Sequence, residues 1–430
     1  MSDFQSIKLE NGLEIIGEQL PGVQSAAVAF FVTHGAVDDD DGNAGLAHLT
    51  ESTMFRGTAR RSSRELTEQL DRIGARYSSS TGLELTLFSG IMLGNHLPEA
   101  LEIFADVLES AAFPAEELEA VRALQLQEIG QRDDQPQQLV VDLARRRYFA
   151  GHPLGHDSLG TLESVTGVAR NQVVESWMRW YQPGSTLVAF AGNFDWIAVV
   201  EQLRALTEGW TGAGQRWRSS PPEINPAFTV DHLEGAQENL CFSLPGVGYG
   251  DPGFYPLALA SSILGSGMNS RLFMEVREKR GLAYSVFARF DAMSSTGLVR
   301  VFAGTQPERA AESVEVIHSQ LRLLEREGVT ETELALAKTR LKSRVVMGSE
   351  STGNRVMSIG RDWFYERRHR TLTEIRDAID DVTRIDVAEC LDRIGLMENL
   401  GLVALGPSSA SDLGIESRVG NLAPSRKSGS

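Results

Sequence analysis

Apolar and polar residues follow two rhythms along this chain. Ala26 to Val32 and Leu240 to Leu244 are apolar runs of strand length. Each is followed by a run with helical spacing, Leu46 to Phe55 in the first case and Leu257 to Leu264 in the second. Ser6 to Glu18 passes through Asn11-Gly12, a dipeptide that favours the turn of a hairpin. Leu83, Leu85 and Leu87 alternate with polar neighbours as a half-buried strand does. From Glu116 to Gln131, Leu118, Val121, Leu124 and Leu126 fall on or near one helical face. Strands mixed with long helices predict an α+β fold whose helices pack on one face of a mixed sheet.

The pattern repeats. Gly74-Ala75-Arg76-Tyr77-Ser78 returns as Gly281-Leu282-Ala283-Tyr284-Ser285, and Pro98-Glu99 as Pro307-Glu308, at nearly one offset. Two echoes in the same element order indicate a diverged duplication, hence two homologous α/β sandwich domains. Gly209-Trp210-Thr211-Gly212-Ala213-Gly214 and Ser219-Ser220-Pro221-Pro222 form a Gly/Ser/Pro-rich linker between them. The expected domains are therefore residues 1–215 and 216–430. The tail beyond Leu422 has little to offer a core and is expected to be disordered.

Composition narrows the function classes. With 42% hydrophobic and 23% charged residues in a chain of 430, it reads as a soluble protein of two or more domains. The formal charge of −17 argues against nucleic-acid binding and against an anionic membrane surface. No apolar run approaches the roughly 18–20 residues that span a bilayer. The first twenty residues show no basic start followed by an apolar block, so the cytoplasm is the expected compartment, and the periplasm if a leader was removed. Cys241 and Cys390 lack metal-like spacing and read as two buried free thiols.

Candidate chemistry begins at Gly45-Leu46-Ala47-His48-Leu49-Thr50-Glu51-Ser52. On a helix, positions i and i+4 share a face, so His-x-x-Glu-His presents two imidazoles to one zinc beside a carboxylate base. Here His48 and Glu51 stand in register, but Ser52 occupies the second ligand position. Glu128, on the downstream helix, is the carboxylate that could complete such a set. In the second half, Leu264-Gly265-Ser266-Gly267-Met268-Asn269-Ser270-Arg271-Leu272-Phe273 leads into a charged helix end carrying Arg277, then Gly281 and Tyr284. No Gly-Lys-Ser/Thr follows those glycines, which excludes a phosphate cradle of that kind.

Taken together, these motifs resemble the pitrilysin-type metallopeptidases with the inverted zinc motif, the family of insulin-degrading enzyme and mitochondrial processing peptidase. The resemblance rests on Gly-Leu-Ala-His-x-x-Glu at 45–51, Phe55-Arg56-Gly57-Thr58, Glu128, Tyr181-Gln182-Pro183, Gly192-Asn193-Phe194-Asp195, and the 264–285 segment. It covers roughly residues 5 to 407, and departs from the family at Ser52 and at Val121, where many active members carry a supporting glutamate. It implies one half of a clamshell whose two units enclose a peptide. It also implies that Arg277 and Tyr284 reach the zinc site of an opposing unit, and that the strand carrying Ser79, Ser80 and Thr81 pairs with substrate. Ser78 stands there where an asparagine is common.

The resemblance and the missing ligand together lead us to expect the non-zinc-binding subunit of a heterodimeric peptidase acting on peptides or unfolded polypeptides. No metal or other cofactor is expected in this chain, and zinc is expected in a homologous partner. A purely structural assembly subunit and a homodimeric peptidase with an atypical metal site are the alternatives. Arginine suits the role as a permanent cation with a donor fork for carbonyls, and tyrosine as a hydroxyl donor to an oxyanion.

Overall fold

The computed structural model describes residues 3–214 and 220–415. The expected tail beyond Leu422 and the residues 215–219 of the linker lie outside them. Within the described residues the chain forms two compact units, one from 3–130, 156–214 and 345–371, the other from 131–155, 220–344 and 372–415.

The first unit holds β1 (Asp3–Lys8), β2 (Glu14–Gln19), β3 (Ser25–Val32), β4 (Arg76–Thr81), β5 (Thr86–Leu93) and β6 (Thr186–Gly192), in the order β1-β2-β6-β3-β5-β4. The second holds β7 (Phe228–His232), β8 (Glu238–Gly246), β9 (Ala283–Ala292), β10 (Gly297–Thr305) and β11 (Gly401–Gly406), in the order β7-β11-β8-β10-β9. Apart from the extra β1, the two orders match strand for strand. In each, one parallel pair (β2 with β6, β7 with β11) interrupts an antiparallel sheet. The repeated motifs fall at equivalent places: Gly74 and Gly281 each precede the edge strand, β4 or β9. The duplicated α+β plan read from the sequence is the plan observed.

Alternating side chains give each sheet two apolar faces. In the first unit, Val28, Phe30, Phe88, Val188 and Phe190 pack with Leu49, Leu101, Phe104 and Val173 from the helices of the main layer. The other face, Ala27, Ala29, Phe31, Leu187 and Ala189, would meet water if the sequence halves folded separately. It is covered instead by Val356 and Ile359 of helix Thr352–Glu366, from the second half of the chain. The equivalent helix of the first half, Pro136–Tyr148, makes the reciprocal move. Its Val140 and Ala144 cover Cys241, Phe302, Val403 and Leu405 of the second sheet. A boundary at residues 215/216 assigns neither exchanged helix to the sheet it covers. The cause is burial: at about 25 cal/mol per Å² of apolar surface, an uncovered sheet face is expensive.

One buried ion pair accompanies the exchange. Arg355 donates to Glu18 Oε2 from Nε at 2.7 Å and Nη2 at 2.6 Å, with both side chains almost fully buried. His369 Nε2 lies 3.5 Å from the same oxygen.

Three local expectations need correction. The strand begins at Thr86, because Leu83 to Leu85 form a turn closed by Gly82 N–H donating to the Leu85 carbonyl at 2.8 Å. Leu124 is 48% exposed, while Gln125 takes the buried position beside it. Trp210, inside the expected linker, is buried in the first core and donates from Nε1 to the Tyr181 carbonyl. Cys241 and Cys390 are both buried and unbridged. Among the described residues no helix is long and apolar enough to cross a membrane.

Candidate functional site

In the first unit, helix Leu46–Met54 carries His48, Glu51 and Ser52. Its start is held by three groups that follow no simple capping pattern. Asp39 accepts from the N–H of Gly45 and of Ala47, each at 2.9 Å, satisfying donors that a helix N-terminus leaves open. Gln125 donates from Nε2 to the Gly45 carbonyl at 3.0 Å and the Leu159 carbonyl at 2.8 Å. Gly45 has φ +89, and a Cβ there would lie 2.4 Å from the Leu159 oxygen, so only glycine fits.

This frame brings His48 to helix Ala115–Asp133, where its Nε2 lies 3.2 Å from Glu128 Oε2. The contact holds the Glu128 carboxyl below the usual range, chiefly through the hydrogen bond from His48. One turn on, Ser52 Oγ donates to Glu51 Oε2 at 3.4 Å. Thr81, at the end of the edge strand β4, reaches the same oxygen at 3.4 Å. Burial pushes the Glu51 carboxyl up, opposed by the hydroxyls of Ser79, Thr81 and Ser52 and by His48. Behind it, the wholly buried Tyr181 phenol is pushed well up by burial and by the neighbouring Glu51 charge.

His48, Glu51, Ser52, Ser79, Thr81 and Glu128 thus come together. Ser80 does not, because the period of two along β4 places Ser79 and Thr81 on the Glu51 side and leaves Ser80 exposed on the other. The set does not fit a zinc ion. A catalytic zinc takes three protein ligands at about 2.0–2.2 Å. Two candidate donors here are paired with each other, and the third position offers a neutral hydroxyl already turned to Glu51. Among the described residues no three His, Cys, Asp or Glu side chains form a metal-ligand group.

The second unit presents a different kind of site. Residues Phe273–Glu278 form a π-helical turn, a wide turn often found at functional positions. It is anchored by Arg271, which forks onto Glu333 from Nε at 2.7 Å and Nη2 at 2.8 Å. Arg277 stands over the Phe273 ring, 5.0 Å from its centre. Lys279 and Arg280 both turn back onto Glu275, whereas Arg277 has no ion pair among the described residues. The turn ends at Gly281, with φ +60, and the chain enters β9 at Ala283. Tyr284 is 69% exposed at the start of this edge strand.

Sequence reading missed Asp39 and Gln125, which support the first site, and gave Tyr181 only as part of a family motif. Asp39 lies six residues before the helix-capping glycine, and a lone buried glutamine leaves no periodic trace.

Comparisons with known proteins agree with this architecture. The pattern described as insulinase (peptidase family M16) matches residues 14–162, and the peptidase M16 inactive domain matches residues 167–341. An uncharacterized zinc protease of Mycobacterium tuberculosis is 32% identical over 404 residues, covering 93% of this chain and 92% of that protein. An uncharacterized zinc protease of Bacillus subtilis is 28% identical over 399 residues, covering 93% of this chain and 97% of its own length. Among solved structures, a peptidase M16 inactive domain from Pseudomonas fluorescens superposes with a TM-score of 0.87 at 21% identity, over 95% of this chain and 98% of that one. A protease from Helicobacter pylori gives 0.88 at 20% identity, over 94% of this chain and 100% of that one. The shared fold, the matched patterns at both ends and the full-length relatives together establish that the chain belongs to the peptidase M16 (insulinase) family.

Proposed function

We propose that this chain is the non-zinc-binding subunit of a heterodimeric zinc metallopeptidase that degrades peptides or unfolded polypeptides. A homologous partner supplies the zinc, its ligands and the general base. This chain supplies Arg277 and Tyr284 to the partner's site, and the edge strand β4, with Ser79, Ser80 and Thr81, offers main-chain hydrogen bonds to an extended peptide.

The observation that carries the reading is the contrast in engagement. His48 is spent on Glu128 and Ser52 on Glu51, while Arg277, which has no ion pair among the described residues, and Tyr284 stand exposed. Such a pair suits a peptide carbonyl and a developing oxyanion presented from outside the chain. Glu51 is left without a metal-bound water to activate.

The test is reconstitution. The purified chain is expected to carry negligible zinc by elemental analysis and to cleave no peptide, with activity appearing when a zinc-carrying homologue is added. Substantial cleavage by the chain alone at stoichiometric zinc overturns the proposal.

A further inference from the structure

Tyr284 sits where the register of β9 and β10 breaks. Gly304 pairs with Ser285, and the next residue, Thr305, pairs with Ala283, so Tyr284 is the extra residue of a β-bulge. A bulge bends its strand and re-aims one side chain, and bulges recur beside active sites. Two buried hydroxyls fix this one from behind. Thr305 Oγ1 donates to the Leu282 carbonyl at 2.6 Å, and Ser313 Oγ donates to Thr305 Oγ1 at 3.1 Å.

On the exposed side, Gln306 Nε2 donates to the Tyr284 hydroxyl oxygen at 3.0 Å. A phenol carries one proton and an oxygen that accepts. With an amide N–H on the accepting side, the proton is directed away from Gln306 and stays free to be given. The main chain that carries Gln306 is itself held, because its backbone carbonyl accepts from Arg309 N–H at 2.9 Å at the head of the turn Pro307–Arg309.

We infer that Gln306 is a positioning residue that makes the Tyr284 hydroxyl a donor toward bound peptide. The inference rests on the proposed role of Tyr284 in the composite site. Gln306 acts through the tyrosine and touches no reacting atom.

The experiment measures peptide turnover by the complex of this chain with its zinc-carrying partner. Tyr284→Phe lowers kcat about 100-fold, the scale of losing one oxyanion donor. Gln306→Glu keeps the side chain's shape but offers a carboxylate that accepts the phenol O–H as a hydrogen bond and turns it from substrate, bringing kcat to within about threefold of Tyr284→Phe. Gln306→Ala leaves the hydroxyl to water and costs less than about tenfold. KM moves little in all three. Added to Tyr284→Phe, Gln306→Glu costs nothing further, because its effect runs through the missing proton.

A purely structural glutamine would reverse the order, with alanine worse than the isosteric glutamate. Simple charge repulsion would make Gln306→Glu cost as much in the Tyr284→Phe background as alone. Either result overturns the inference, as does full turnover in Gln306→Glu when Tyr284→Phe is impaired. Full turnover in Tyr284→Phe removes the proposed function itself, and this inference with it.

Discussion

The two units share a strand order, yet the candidate residues of one are in the opposite state from those of the other. In the first, the polar side chains of helix Leu46–Met54 are turned on one another and on the next helix: His48 to Glu128, Ser52 and Thr81 to Glu51. In the second, the π-helical turn and the bulge after it hold Arg277 and Tyr284 outward. The salt bridges nearby, Arg271 to Glu333 and Lys279 and Arg280 to Glu275, support the frame and leave the pair exposed. A duplicated fold can therefore keep its scaffold while one copy's chemistry closes on itself and the other's stays available. Retained residues such as His48 and Glu51 then say less about catalysis than whether their side chains are already engaged.

The strongest way to break this comparison is Arg277→Ala, which should lower turnover of the complex about 100-fold, the scale of a lost transition-state contact. Because Arg277 is exposed, its melting midpoint should barely move, within the roughly ±0.5 kcal/mol typical of surface changes. Steady-state kinetics and thermal unfolding of the same sample check both halves of the prediction. Loss of stability without loss of turnover would make the second site ordinary surface.

Gln125→Ala probes the closed site. It strips the Gly45 and Leu159 carbonyls of their shared donor inside the core, and should cost about 1–3 kcal/mol in urea unfolding. No change there would mean that helix Leu46–Met54 is held by other contacts.

Glu128→Gln should be smaller, about 0.5 kcal/mol, because half of the Glu128 side chain faces water. Its sign with pH follows from the lowered folded value. The stabilisation is fully present above the ordinary glutamate value of 4.5 and is lost as pH falls through the lower folded one. Melts of wild type and Glu128→Gln should therefore differ above pH 5 and converge in acid. Constant separation across that range would show that Glu128 does not gain from His48.

Much of the frame was legible from period alone. The alternation and spacing located β3, β8 and the helices that follow them, and the i, i+4 rule placed His48 one turn from Ser52. Three things were not. The exchange of Pro136–Tyr148 and Thr352–Glu366 depends on which sheet face lies bare, a property of the folded sheet that no local window carries. The Leu83–Leu87 alternation misled because its first two leucines lie in a turn and Leu87 on the half-exposed face of β5, while Thr86, Phe88, Gly90 and Met92 take the buried face. The bulge at Tyr284 arises from a register shift between strands, and Gln306 became a candidate only once that shift put it beside the phenol. Buried polar supports such as Gln125 are hidden for the same reason: they answer backbone groups, and those leave no pattern in the side chains.

The division of labour is tested most directly by comparing turnover of two reconstituted complexes, one with Glu51→Gln and one with Tyr284→Phe in this chain. The expected result is turnover within about twofold of wild type for Glu51→Gln and a loss of about 100-fold for Tyr284→Phe. The opposite ranking, with Glu51→Gln abolishing hydrolysis and Tyr284→Phe leaving it intact, would contradict the account.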